Sequence, residues 1–409
     1  MMKMKDSGVE WIGTIPEEWG ITRLKDKLKI NNGKEIVNDE GGVPVYGSGG
    51  AFKWTDKVLC DGPALLLGRK GTVDKPLLVK EPFWTVDTMF YSTVKKGACL
   101  DYLYFCSTCF DYKYFQTGST LPSMTQTALG GILLPWPSIY EQNAIASYLN
   151  RKCKLADKAL MTLEDQISLL KRHRASVIHE AVTRGIDPSV LTKNSGIDWI
   201  GNIPEGWDVF RLKFFAVSDL GLMLDEKQMT NVNVHEYLAN KDVQWFSINE
   251  TGLSEASFPL GSEQRYQIMD GDILVCEGGE VGRCAVWHGA SPHFYYQKAI
   301  HRLRVDKSIV NPNFIAYQFF DKAKTTNFIE VRKGVSTIAH LPGDQLMRLK
   351  FTVPPLEEQN TIVDYLDART AAIDAVLDTK RKQLDILKRR RQSLIYEYVT
   401  GKRRVTEEA

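Results

Sequence analysis

One segment of this chain is written twice. Ser7-Gly8-Val9-Glu10-Trp11-Ile12-Gly13-Thr14-Ile15-Pro16 and Trp19 return as Ser195-Gly196-Ile197-Asp198-Trp199-Ile200-Gly201-Asn202-Ile203-Pro204 and Trp207, an offset of 188 residues. The offset still holds at Arg23-Leu24-Lys25 and Arg211-Leu212-Lys213. Glu141-Gln142-Asn143 returns as Glu358-Gln359-Asn360 at an offset of 217, so the second copy holds about 29 more residues than the first. A chain built from two copies of one unit can fold about an internal pseudo-two-fold axis. Such an axis suits a dyad-symmetric partner such as duplex DNA.

A length of 409 residues allows two to four domains, and duplication favours an even number. With 43% hydrophobic and 25% charged residues the chain has the composition of an ordinary globular protein with ample core. A net charge of +2 does not by itself announce a nucleic-acid partner, so the local distribution of charge has to carry that argument. Met1 to Glu10 carries lysines with no apolar run behind them, unlike a signal peptide, and apolar runs such as Ala64-Leu65-Leu66-Leu67 are too short for a membrane helix. Seven scattered cysteines fit reduced thiols and a cytoplasmic setting rather than a disulfide framework.

Each copy opens with a region rich in Gly, aromatics and short apolar runs, then passes a proline into a long charged segment with helical patterning. Pro63 to Gly68 and Asp272 to Cys276 have the character of buried strands, each running into a Gly-bearing turn. Ser138 and Glu141 form a capping box, and Pro354-Pro355 opens the second helix in a related way. Gly185 with Pro188 stops the first helix, and Gly401 stops the second. One heptad frame places Leu160, Leu163, Ile167 and Leu170 on the apolar stripe of the first helix, and Leu377, Leu384, Leu387 and Leu394 on that of the second. Two matching stripes in one chain predict an antiparallel intramolecular coiled coil, the alternative being that each helix packs on its own domain. Arg174 and Arg391 interrupt the seam at equivalent places, so each is expected to meet an acidic partner or to emerge at the seam's end. Helices of about 40 residues are about 60 Å long, enough to hold two domains a DNA turn or more apart.

These residues carry a family resemblance. The Trp-Ile-Gly-x-Ile-Pro-x-x-Trp motif at Trp11 and Trp199, the proline followed by Glu-Gln at Pro137 and Pro354, and the basic helices ending in Val-Thr-Arg-Gly (Val182 to Gly185) or Val-Thr-Gly (Val399 to Gly401) come in the same order twice. In this the chain resembles, over essentially its whole length, the DNA-specificity subunit of type I restriction-modification enzymes. The resemblance implies an α+β fold: two mixed α/β target recognition domains, each followed by a long helix. The segments are 1–137 (with 7–25), 138–187, 188–355 (with 195–213) and 356–409. It also implies that the chain binds double-stranded DNA at a bipartite site and docks two modification subunits, with restriction subunits in a restricting assembly. S-adenosylmethionine, ATP and Mg are then expected on those partners, with no cofactor and no catalysis in this chain.

Asn311-Pro312-Asn313-Phe314 lacks the second proline of an adenine-methyltransferase loop and fits a helix N-terminus. No Gly-x-Gly-x-x-Gly after a strand and no Walker loop is present, and Gly47-Ser48-Gly49-Gly50 fits a flexible turn. Cys106 and Cys109 have no second pair at zinc spacing and fit structural thiols. His340 stands opposite Ser123 in the repeat, with no carboxylate pair expected near either.

Base reading needs donors on loops, and phosphate contact needs Lys, Arg, hydroxyls and backbone amides. The candidates are Lys34, the strand exit Arg69-Lys70-Gly71-Thr72, Lys75, Lys227, Arg265, Arg283, Lys298 and Arg332. Ser119 and Thr120 align with Ser336 and Thr337, preceded by Lys333, and fit either a phosphate grip or a turn capping a helix. The runs Lys171-Arg172-His173-Arg174 and Lys388-Arg389-Arg390-Arg391 fit a solvated face, a track for duplex or a docking surface for acidic partners. The domains differ enough to predict an asymmetric target with a fixed gap. Two other readings stay open: a self-contained DNA methyltransferase or nuclease, and a coiled-coil scaffold that does not bind DNA.

Overall fold

The computed structural model describes residues 3–36, 40–115, 122–223, 233–261, 263–289, 295–325 and 340–405. The chain divides into two compact units, Met1–Asp165 with Lys380–Ala409, and Gln166–Thr379. Both boundaries fall inside long helices, because the two ends of each helix pack into different cores.

In the first unit a four-stranded antiparallel sheet is built from β1 (Leu28–Asn32), β4 (Ala64–Gly68), β5 (Leu77–Val79) and β7 (Met89–Val94), in the order β1-β7-β4-β5. A smaller sheet of β2 (Val43–Gly47), β3 (Gly50–Thr55) and β6 (Trp84–Thr85) has the order β3-β2-β6, with β2 antiparallel to β3 and parallel to β6. The second unit repeats both. Its main sheet orders β8 (Ala216–Leu220), β14 (Ile300–Val305), β11 (Ile273–Cys276) and β12 (Cys284–Val286) as β8-β14-β11-β12. Its small sheet orders β10 (Ser254–Ser257), β9 (Val234–Leu238) and β13 (Tyr295–Tyr296) as β10-β9-β13, with the same mixture of directions.

The continuous apolar runs predicted as strands are central because both faces of each are covered. Successive side chains of a strand point to opposite faces. Leu65 and Leu67 join a cluster with helical residues while Ala64 and Leu66 join one with Phe83 and Tyr46. Likewise Ile273 and Val275 face one core of the second unit, and Leu274 and Cys276 face the other.

The main sheets pack against α1 (Leu100–Ser107) and α3 (Pro312–Thr325), and against the long helices α2 (Ile139–Arg184) and α4 (Leu356–Val399). Ile145, Leu149 and Cys153 from the start of α2 share the first core with Ile395, Tyr398 and Val399 from the end of α4. In the second unit Ile362 and Leu366 from the start of α4 share a core with Ile178, Ala181 and Val182 from the end of α2. The alternative in which each helix packs only on its own preceding region is thereby corrected: one end does, the other end does not. The expected caps are present. Ser138 and Glu141 exchange hydrogen bonds, and Gly185 and Gly401 take φ of +75° and +71° after the last helical turns.

The repeated sequence motifs form a frame. Trp19 Nε1 donates to Glu141 (3.2 Å), and Trp207 Nε1 donates to Glu358 (3.0 Å). The buried Gln142 accepts from the Cys99 amide, at the start of α1, and donates to the Pro137 carbonyl; Gln359 does the same for Asn311, at the start of α3, and Pro354. These side chains tie the repeated tryptophan motif, the sheet-covering helix and the long helix into one arrangement, and they do it twice.

Candidate nucleic-acid interface

Each central strand leaves its sheet into a glycine-bearing turn, and the same three segments meet there in both units. In the first unit the amides of Arg69 and Lys70 donate to the Thr88 carbonyl (2.9 and 3.2 Å), Gly71 donates to Pro122, and Lys70 bridges to Ser123. The turn between β2 and β3 completes the group. Ser48 Oγ lies 3.1 Å from where a Cβ on Gly71 would stand, and Gly71 has φ of +81°. In the second unit Glu277 donates to the Ala299 carbonyl (3.0 Å), Leu341 donates to Glu277, and Gly278 bridges to His340. Asn240, from the connection that follows β9, donates through Nδ2 to the Gly278 and Ala299 carbonyls. Ser123 and His340 are therefore equivalent in space, as the repeat alignment placed them.

The side chains mounted on these turns differ in charge. Arg69 lies over the Phe90 ring (5.7 Å) and donates to the Asp87 carbonyl, and Lys70 pairs with the Asp87 carboxylate at 3.7 Å. In the second unit Glu277, its side chain 9% exposed, sits 3.1 Å from His340 and 3.7 Å from the buried His301. The carboxylate beside His340 is a single one, and it comes from the strand exit, remote in sequence. Burial holds the His301 imidazole below its ordinary range, and its Nε2 faces the Leu341 carbonyl at 2.9 Å. Burial alone would raise the Glu280 carboxyl, but hydrogen bonds from Trp245 and Lys324 bring it below the usual value.

The remaining candidates scatter. Lys34, Lys75 and Lys298 are exposed and Thr72 is half-buried. Arg265 is exposed, its guanidinium over the Tyr266 ring at 5.4 Å. Arg283 points inward and donates to the carbonyl and side-chain oxygens of Asn240 (2.7 and 2.8 Å), which makes it a brace for the connection after β9. Ser119, Thr120, Lys227, Arg332, Lys333, Ser336 and Thr337 lie outside the described residues. Sequence reasoning passed over Thr88 and Asn240, and took Ser48 only as part of a flexible turn. A signal was available for Ser48 in its glycine-rich turn, but none for the backbone carbonyls.

The interrupted helix seam resolves into two ion pairs. Arg174 Nε meets Asp374 at 3.0 Å, and Arg391 Nε meets Asp157 at 2.6 Å. Both pairs obey the 217 offset, arginine to arginine and aspartate to aspartate. Arg174 also lies over the Phe246 and Phe320 rings. In the first unit Glu164 meets Lys388, so partner numbers fall along α4 as they rise along α2, and the helices run antiparallel there. Leu160, Leu163, Leu170, Leu384, Leu387 and Leu394 are half-buried, and Ile167 and Leu377 are buried. Lys171, Arg172, His173, Lys388, Arg389 and Arg390 are exposed.

All seven cysteines are free, and burial pushes the Cys109 thiol up to about 12. Among the described residues no group of three or more His, Cys, Asp or Glu side chains is placed to hold a metal ion, and no helix is long and apolar enough to cross a membrane.

The chain is similar to known proteins along nearly all its length. It is 22% identical to the type I restriction enzyme MjaVIII specificity subunit of Methanocaldococcus jannaschii, covering 96% of this chain and 94% of that one. It is 21% identical to the MjaIX specificity subunit of the same organism, covering 97% and 96%. A solved chain from work on complex assembly and conformational transition of the type I R-M system shares the fold, with a TM-score of 0.66, 15% identity, and coverage of 95% of this chain and 99% of that one. The family described as type I restriction modification DNA specificity domain matches residues 16–167 and 204–385, one match in each copy of the repeat. The duplicated frame and these matches place the chain in that family: it is a DNA-specificity subunit of a type I restriction-modification system.

Proposed function

We propose that the chain selects an asymmetric, bipartite sequence in double-stranded DNA, each half read by the loop cluster of one recognition domain. The observation that carries this reading is the pair of strand exits that share strand order and backbone contacts but bear different side chains: Arg69 and Lys70 on one, Glu277 and Glu280 on the other. A common backbone with divergent tips is what two readers of different half-sites require. Basic groups position DNA through phosphate, while loop donors and acceptors discriminate base edges.

The segments 1–137, 138–187, 188–355 and 356–409 serve in turn as recognition domain, helical spacer, recognition domain and helical spacer. The long helices pair as an antiparallel coiled coil that sets a fixed gap and docks two modification subunits. Local support comes from the equivalent arginine–aspartate pairs inside each unit and from Leu155, Met161 and Leu169, exposed apolar residues on α2. The chain itself is non-catalytic and acts in the cytoplasm. S-adenosylmethionine belongs to the modification subunits, and ATP and Mg to restriction subunits where these join.

Methylation mapping of DNA from cells carrying this chain with its modification subunit tests the reading. The expected outcome is a split motif with a constant gap that disappears on deletion of this gene. Exchange of residues 26 to 135 for those of another family member should then change one half of the motif only. A change in both halves, or no motif beside an active modification subunit, overturns the proposal.

A further inference from the structure

The two small sheets share an order but not a surface. β3 is the edge strand of β3-β2-β6, and two large aromatic side chains stand out from it, Phe52 at 54% and Trp54 at 56% exposure. Bare edge strands invite unwanted pairing, and exposed aromatic pairs mark contact surfaces. The ribbon is also bent on purpose. Val45 pairs with Lys53 and Tyr46 with Ala51, which leaves Phe52 as the extra residue of a β-bulge, a device that re-aims a side chain. From Val43 to Thr55 there is no carboxylate, and Lys53 lies between the aromatics. The turn Gly47–Gly50 ends against Gly71, which follows Arg69 and Lys70.

The counterpart ribbon in the second unit is built against such a role. Glu236 of β9 faces Glu255 of β10 directly across the ladder, both exposed, and like charges there repel each other and any phosphate. Its connection is also longer. Val43 pairs with Thr55 and Val234 with Ser257, so the offset between copies grows from 191 to 202 across this one link. The added residues carry a second short hairpin, Val243–Gln244 with Ser247–Ile248.

We propose that the β2–β3 ribbon is the groove-entering element of the first recognition domain, with Phe52 and Trp54 against base edges and Lys53 against phosphate. The second domain reads its half-site without an equivalent ribbon. A two-stranded ribbon fits the major groove, about 12 Å wide, and aromatic carbon there meets thymine methyl groups. Duplex DNA is the occupant the charges favour, since the ribbon carries Lys53 and no carboxylate, and Arg69 and Lys70 at the strand exit beside it outnumber the one carboxylate there, Asp87. The inference rests on the bipartite-recognition reading above.

The test uses the assembled chain and modification subunits, selecting bound duplexes from randomised DNA and sequencing them. Phe52→Ala with Trp54→Ala should weaken the selected site about tenfold or more and relax bases only in the half assigned to residues 26 to 135. Lys53→Gln should keep the motif and make the plot of log affinity against log salt shallower by about one unit. Variants that match the wild type in motif, affinity and salt dependence overturn the inference while leaving bipartite recognition standing. Loss of assembly with the modification subunits, with DNA selection unchanged, also overturns it and makes the ribbon a protein contact. A wild-type assembly that selects no split motif overturns both readings.

Discussion

At the first strand exit two cations stand beside Asp87; at the second, Glu277 is buried between His301 and His340. Beneath both turns the backbone does the same thing, down to the carbonyls that accept from it, Thr88 in one unit and Ala299 in the other. Frame and tip have thus been separated. The frame is set by buried side chains whose loss leaves polar groups unsatisfied, while the tip residues can vary because few of their side-chain bonds hold the sheet together. Arg283 marks the limit of that freedom, since its guanidinium is spent on bracing Asn240.

The most damaging way to test the shared frame is at its glutamines. Gln142→Leu should cost about 2–3 kcal/mol by stranding the Cys99 amide and the Pro137 carbonyl. Gln359→Leu should cost at least as much, since Gln359 donates to the Ile309 carbonyl as well. Thermal unfolding followed by hydrogen exchange should assign each loss to its own unit. If both substitutions loosen the same unit, the equivalence of the copies fails.

A smaller effect should separate the two helix ends. Gly401 and Gly185 both have positive φ, so alanine at either costs about 1 kcal/mol from backbone strain. At Gly401 the new Cβ would also lie 2.5 Å from Pro16, whereas at Gly185 the nearest atoms stand at 3.4 Å. Gly401→Ala should therefore be the more destabilising of the two in denaturant titrations, and equal midpoints would contradict the tighter packing.

The smallest expected effect belongs to one unit alone. His179 bonds to Asp321, which raises its imidazole pKa against the opposing pull of burial. Its stabilisation is complete below about pH 6.5, the ordinary histidine value, and is lost as pH climbs through the raised folded one. The equivalent residue in α4 is Tyr396, a neutral hydroxyl that donates to the Ile12 carbonyl. The stability difference between wild type and His179→Gln should shrink from pH 6 to pH 8 by less than about 1 kcal/mol. Because burial of His301 works in the opposite sense, that difference is the quantity to follow.

Much of this architecture was readable from local signals. Capping residues and apolar periodicity marked α2 and α4, and the runs at Ala64–Gly68 and Ile273–Cys276 marked the central strands. The acidic partners of Arg174 and Arg391 followed from the cost of burying an unpaired charge. Long-range pairing left no such trace. β2 lies parallel to β6 across nearly forty residues, so Gly47–Gly50 looked like a loose turn when it is held against Gly71. Nor does a heptad pattern say on which core a helix end will land. Ile395 and Tyr398 could not be assigned to the first unit from periodicity, because an apolar stripe specifies burial and not its address.

That address has a consequence for the order of synthesis. About 230 residues separate Asp165 from Ile395, and the first core is incomplete until Ile395, Tyr398 and Val399 arrive to close it. At a translation rate of about 5 to 20 residues per second, the first sheet and α1 wait on the ribosome for roughly 10 to 50 s. The second unit, whose residues run unbroken from Gln166 to Thr379, has every piece it needs sooner. The half of the molecule that is translated first is the half that is finished last.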